Sequence, residues 1–119
     1  MAITLILGAS TNPERYAYKA LKKLQFNGHL VKATSVKKGA VNGVEFLPPF
    51  TILSGIDTVT LYINSLHQQA YYDYILKLKP RRVIFNPGTE NEEFEAILQE
   101  NNIEPIEACT LVMLSIGTY

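Results

Sequence analysis

The chain has 119 residues, 47% of them hydrophobic and 18% charged, which fits one folded domain with a core of its own. Its 11 basic and 11 acidic residues give a formal net charge of zero, which argues against a nucleic-acid partner held by a basic surface. The single cysteine rules out an internal disulfide, and no apolar run approaches the roughly 20 residues of a membrane span, so a cytoplasmic protein away from membranes is expected.

The first strand is expected over residues 2–7, where Ile3-Thr4-Leu5-Ile6-Leu7 is apolar and partly β-branched. Gly8-Ala9-Ser10 then makes a tight small-residue turn, with Asn12 as helix N-cap and Pro13 as first helical residue. Such a turn offers free backbone N–H groups at a helix N-terminus, a ready anion site. The first helix is expected over residues 13–26. Ala17, Ala20, Leu21 and Leu24 fall at the spacing of a buried stripe, and Asn27-Gly28 stops the helix. A second strand is expected over residues 29–34.

Residues 35–56 are the least regular part. They hold Lys37-Lys38-Gly39, an Asn42-Gly43 turn signal, a short extended piece at Val44–Leu47, Pro48-Pro49 and a helical turn over 50–53. No full second helix is expected there. The third strand is read over 58–63 and a helix over 65–78. Leu66, Ala70, Tyr74 and Leu78 share one face of that helix, with Tyr71 and Ile75 beside it, and Pro80 ends it. The fourth strand is Arg82–Phe85. After Asn86-Pro87-Gly88, a helix is expected from Thr89 or Glu90 to about residue 101, with Phe94, Ile97 and Leu98 inward. Glu92, Glu93 and Glu95 near its start suit the helix dipole. Residues 104–107 read as a fifth strand, and 109–116 as a short final helix.

No repeat, low-complexity tract or linker interrupts the chain, so a single domain over 1–119 is expected. Strands alternating with helices predict an α/β fold: a mainly parallel five-stranded sheet covered by helices on both faces. In such a sheet a ligand docks at the carboxyl ends of the strands. Those ends carry Gly8-Ala9-Ser10, Ser35-Val36-Lys37-Lys38, Asn64-Ser65, Asn86-Pro87-Gly88 and Ala108-Cys109.

The first turn is not a dinucleotide fingerprint, because Ser10 and Pro13 stand where the second and third glycines belong. The second strand is not followed by the acidic residue that holds a free ribose 2′-hydroxyl. Lys37 and Lys38 stand there instead, and suit either a phosphorylated ribose, as in coenzyme A or NADP, or plain solvent. Arg15 near the start of the first helix opposes the helix dipole. It answers either a bound anion or a carboxylate such as Glu14 or Glu90. Asn86 is either a turn residue or a ligand contact, while Glu90 either caps its own helix or holds the site lysines. Cys109 has no histidine near it, and His29 and His67 fall on no strand end, which disfavours a Cys–His nucleophile. No metal-ligand spacing is present.

Three stretches together carry a resemblance across essentially the whole chain: residues 8–16 (Gly-Ala-Ser-Thr-Asn-Pro-Glu-Arg-Tyr), residues 83–90 (Val-Ile-Phe-Asn-Pro-Gly-Thr-Glu) and residues 107–114 (Glu-Ala-Cys-Thr-Leu-Val-Met-Leu). The chain resembles the small single-domain CoA-binding proteins, which are similar to the N-terminal CoA-binding domain of the succinyl-CoA synthetase α subunit. The resemblance implies a Rossmann-like three-layer fold with coenzyme A or an acyl-CoA across the strand ends. It places the diphosphate on Gly8, Ala9 and Ser10 near Arg15. The adenosine would lie on the loop of Val36, Lys37 and Lys38, with Lys38 at the 3′-phosphate. Asn64, Ser65, Asn86, Pro87 and Gly88 would line the rest. The chain departs from the family pattern at Ser35-Val36, where Asn-Pro is usual, and at Ser65, where proline is frequent. The synthetase's phosphohistidine belongs to another domain, so the resemblance implies binding of a small-molecule nucleotide rather than catalysis. The alternatives are a nucleotide-dependent enzyme, NADP-linked or acting through Cys109 on a thioester, and a degenerate interaction module. For the last, the apolar tail would pack on a second copy or another protein.

Overall fold

The computed structural model describes residues 2–119. Seven strands form one sheet in the order β3-β4-β2-β1-β5-β6-β7. These are β1 (Ile3–Leu7), β2 (Leu30–Thr34), β3 (Ala40–Val41), β4 (Val44–Leu47), β5 (Ile56–Leu61), β6 (Arg82–Phe85) and β7 (Glu104–Glu107). All pair in parallel except β3 with β4. The five strands expected from sequence are present. The two further ones come from the segment read as irregular, where Asn42-Gly43 closes a hairpin. Asn42 and Gly43 both take positive φ, +48° and +80°, the backbone a two-residue hairpin turn requires. The extended piece 44–47 then joins the sheet through Phe46 and Leu47, paired with Ala33 and Thr34.

The strand ends form one row. Leu47 pairs with Thr34, Thr34 with Leu7, Leu7 with Leu61, Leu61 with Phe85 and Phe85 with Glu107. Every loop that leaves a carboxyl end therefore starts from the same level.

Helices cover both faces: α1 (Tyr16–Phe26) and α5 (Thr110–Ile116) on one, α3 (Tyr72–Leu78) and α4 (Glu92–Glu100) on the other. Alternation along β1 sends Leu5 and Leu7 to the second face and Ile6 to the first. Both faces being covered explains why the central strands read as continuous apolar runs. One core packs Val59, Leu61, Val83 and Phe85 against Ile75, Phe94 and Leu98; the other packs Ile6 and Ala33 against Ala17, Leu21, Leu24 and Leu114.

Four helical expectations need correction. The first helix begins at Tyr16, not Pro13. Asn12 and Pro13 are used in a turn: Arg15 N donates to Asn12 O at 3.0 Å and Glu14 N to Asn12 Oδ1 at 3.0 Å. The helix expected over 65–78 is broken into α2 (Ser65–Gln68), a 3₁₀ turn (Gln69–Tyr71) and α3. The break changes the phase, so Leu66 is exposed and Gln68 is fully buried. The helix after β6 starts at Glu92 because the Asn91 side chain caps it, accepting from Phe94 N at 3.1 Å. Residues 50–53 form no helical turn; Phe50 instead takes φ +66° and stacks on Tyr71.

The two margins of the sheet differ from its middle. β3 is two residues long. In β7, Glu104 N and Ala108 N donate inward to Arg81 O and Phe85 O, so the backbone edge of the alternate residues Pro105 and Glu107 faces outward. Among the described residues no helix is long and apolar enough to cross a membrane.

Candidate functional site

Setting aside the hairpin strand β3, the strand order rises in one direction from β1 through β5, β6 and β7, and in the other through β2 and β4. The sheet therefore reverses between β1 and β5, the switch point where open α/β sheets leave a crevice. An open cleft of about 560 Å³ lies there, within the range of small-molecule sites.

Gly8 makes the crevice floor possible. It leaves β1 at φ +101°, and a Cβ there would stand 2.9 Å from Ile63 Cγ2 and 3.2 Å from the Tyr62 carbonyl. Only glycine gives both the backbone angle and the clearance. Its amide is not free for a ligand: Gly8 N and Ala9 N both donate to Thr34 O, at 3.1 and 3.0 Å. The pair ties the turn to the end of β2 and corrects the expectation of free amides at Gly8 and Ala9. Among the described residues, the amides of Ser10, Tyr16 and Ala17 have no hydrogen-bond partner outside the helix ladder, and all three residues line the cleft. Gly39 supports the same loop from the β3 side, for its Cβ position lies 2.6 Å from Thr11 Cγ2.

Arg15 stands at the N-cap of α1 with extended backbone and an exposed side chain. The one ion pair among the described residues joins Arg81 to Asp57 at 3.1 Å, so Arg15 is paired with neither Glu14 nor Glu90. An unpaired cation beside open amides at a helix N-terminus is arranged for an anion. Lys37 adds a second cation from the loop after β2, beside Ser35 and the exposed Val36.

Of the residues expected at the site, Gly8, Ala9, Ser10, Arg15, Val36, Lys37, Asn64, Pro87 and Gly88 line the cleft; Lys38, Ser65 and Asn86 do not. Ser65 is the first residue of α2, capped by Asn64. Asn86 lies beneath the cleft, only 3% exposed, with its side chain fully committed. Nδ2 donates to Thr60 Oγ1 at 2.7 Å and Leu61 O at 2.9 Å, and Oδ1 accepts from Thr110 N at 2.9 Å. Glu90 caps no helix and holds no lysine. Its Oε1 accepts from Gly88 N at 2.9 Å.

Sequence reading missed Tyr62, Ile63 and Thr89, which also line the cleft, as does Tyr71. Tyr62 and Ile63 were read as strand, whereas β5 ends at Leu61 and leaves them in the loop. Tyr71 comes forward through the 3₁₀ turn, for which the sequence carries no marker. Tyr62 is held neutral: burial pushes its phenol up to about 12, although the nearby Thr60 and Thr110 hydroxyls pull the other way. The loops after β5 and β6 are joined by buried Gln68, whose Nε2 donates to Ile63 O at 3.0 Å and Thr89 O at 2.7 Å. Cys109 does not line the cleft, and no group of metal-ligating side chains occurs among the described residues.

The sheet order, the glycine turn at its reversal and the cationic cleft define a Rossmann-like α/β domain. The CoA binding domain family matches residues 3–115, and the chain belongs to that family. The crystal structure of an uncharacterized protein is similar over 100% of this chain and 98% of its own, at 55% identity and a TM-score of 0.97. A protein from Thermus thermophilus shares the fold at 20% identity and TM-score 0.86, covering 99% of this chain and 90% of its own. A dinucleotide-forming acetyl-coenzyme A synthetase from Ca. Korarchaeum cryptofilum, in complex with phosphate and ADP, shares the fold at 16% identity and TM-score 0.72. That likeness covers 89% of this chain and 25% of the synthetase. Comparison with curated proteins finds no match.

Proposed function

We propose that the protein binds coenzyme A or an acyl-CoA in the switch-point cleft and carries no catalytic step itself. The observation that carries this reading is Arg15, unpaired at the N-terminus of α1 and facing the same cleft as Lys37. Family membership supports the choice of coenzyme A among nucleotides. The diphosphate lies on the Ser10 turn and the open amides of α1, next to Arg15. The adenosine lies on the loop of Val36 and Lys37. The pantetheine arm runs over Ile63 and Asn64 towards Pro87 and Gly88. The cleft lining contains no His, Cys, Asp or Glu side chain, which supports binding over acid–base or thioester chemistry. Lys38 stands outside the lining, so Lys37 is assigned the ribose phosphate in its place.

Parallel thermal-shift titrations with CoA, NAD, NADP and ATP test this. A ligand at 100 times its dissociation constant adds about 2.7 kcal/mol, a shift of roughly ten degrees in a domain of this size. A shift with CoA that NAD and ATP do not give is the expected result. A shift with NADP alone, or with none of the four, overturns the assignment.

A further inference from the structure

Resting on that reading, the cleft is electrically divided along its length. Its charged lining residues, Arg15 and Lys37, are both cations and both stand at the end formed by the loops of β1 and β2. The other end, lined by Ile63, Asn64, Tyr71, Pro87, Gly88 and Thr89, contains no charged side chain. The two amides of the turn after β6 are already taken. Thr89 N donates to Asn86 O at 2.9 Å, and Gly88 N donates to Glu90 Oε1 at 2.9 Å. The Glu90 carboxylate thus holds the Gly88 amide, beside the end of the cleft towards which a ligand anchored on Arg15 would extend.

We infer that the site takes the free thiol of coenzyme A or the thioester of an uncharged acyl group, and discriminates against acyl groups that end in a carboxylate, with Glu90 setting the discrimination. Two effects act together. Like charges at that end of the cleft repel, and the Gly88 amide that would offset the repulsion is already bonded. Glu90 is exposed and outside both cores, so its replacement leaves the packing untouched.

Calorimetric titration of the wild type and Glu90→Gln with CoA, acetyl-CoA and succinyl-CoA at low salt tests the inference. In the wild type, acetyl-CoA should bind about as tightly as CoA, and succinyl-CoA about three- to tenfold more weakly. In Glu90→Gln the ratio between succinyl-CoA and acetyl-CoA should fall to within about twofold, since the neutral amide neither repels nor is repelled. Equal affinities in the wild type overturn the inference and leave the binding reading standing. A wild-type gap that persists in Glu90→Gln overturns the role of Glu90. Absence of binding by all three ligands overturns the binding reading itself, and this inference with it.

Discussion

The Thr110 amide, the first of α5, donates to the side-chain oxygen of Asn86 at 2.9 Å, so the turn after β6 holds the start of the last helix. The same side chain reaches Thr60 and Leu61 of β5 through its nitrogen. Asn86 is therefore a three-way joint below the cleft. Asn86→Ala leaves several buried partners unpaired and should cost about 2–4 kcal/mol, read as a lower urea midpoint. A midpoint close to wild type would contradict the joint.

Gly8 is the next test. Gly8→Ala forces a left-handed angle on a residue whose Cβ meets Ile63 at 2.9 Å, so it should cost about 1–3 kcal/mol in thermal or urea unfolding. Gly8→Val adds bulk at the crevice floor and should abolish the CoA-dependent thermal shift. A folded Gly8→Val protein with full CoA affinity would refute the placement of the diphosphate.

Arg15 has no partner to lose, so Arg15→Gln should change the melting temperature of the free protein very little. CoA affinity should fall about tenfold, because a charge-assisted contact to phosphate is lost. The gap between variant and wild type should narrow as salt rises, since the exposed charge is screened. Titrations at two ionic strengths would show both effects; an Arg15→Gln protein with unchanged CoA affinity would count against the anion site.

Stability should depend on pH through Glu95. Burial, followed by the hydrogen bond and charge of Glu107, raises its carboxyl from 4.5 to about 7, and its Oε2 is buried with no partner. The folded protein then holds a proton between about 4.5 and 7 that the unfolded chain releases. Stability from this group is complete below about 4.5 and is lost as pH rises through 7. Asp57 acts in a separate window. The Arg81 hydrogen bond keeps it below its ordinary 3.8, so its contribution is present above that value and lost in stronger acid. Glu107→Gln should lessen the slope of the stability profile between pH 4.5 and 7, with the part due to burial remaining, and leave the acid limb unchanged. Urea midpoints across that range would decide; an unchanged slope would show that Glu107 does not govern Glu95.

The parallel core of the fold was legible because its signals are local and repeated. Largely apolar runs such as residues 3–7 and 83–85 mark strands buried on both faces, and the stripe of Ala17, Ala20, Leu21 and Leu24 marks a covered helix. The hairpin was half legible. Asn42-Gly43 marked its turn, but the two residues of β3 are too few to show a period. The phase of residues 65–78 was lost because the 3₁₀ turn at Gln69–Tyr71 is set by tertiary contacts, among them Gln68 bridging two loops. At the site, glycine and cation positions could be read from residue type. Which amides remain open could not, because the acceptor for Gly8 and Ala9 lies 26 residues away from the first of them, at Thr34.

The margins of the sheet set how this domain can meet its own kind. On the β7 side, Pro105 has no N–H to offer outward and Glu107 follows two residues later. On the opposite side β3 presents only two residues. Neither border offers a template long enough to stitch on a neighbour's strand, so fibre growth by edge-to-edge addition is blocked at both ends.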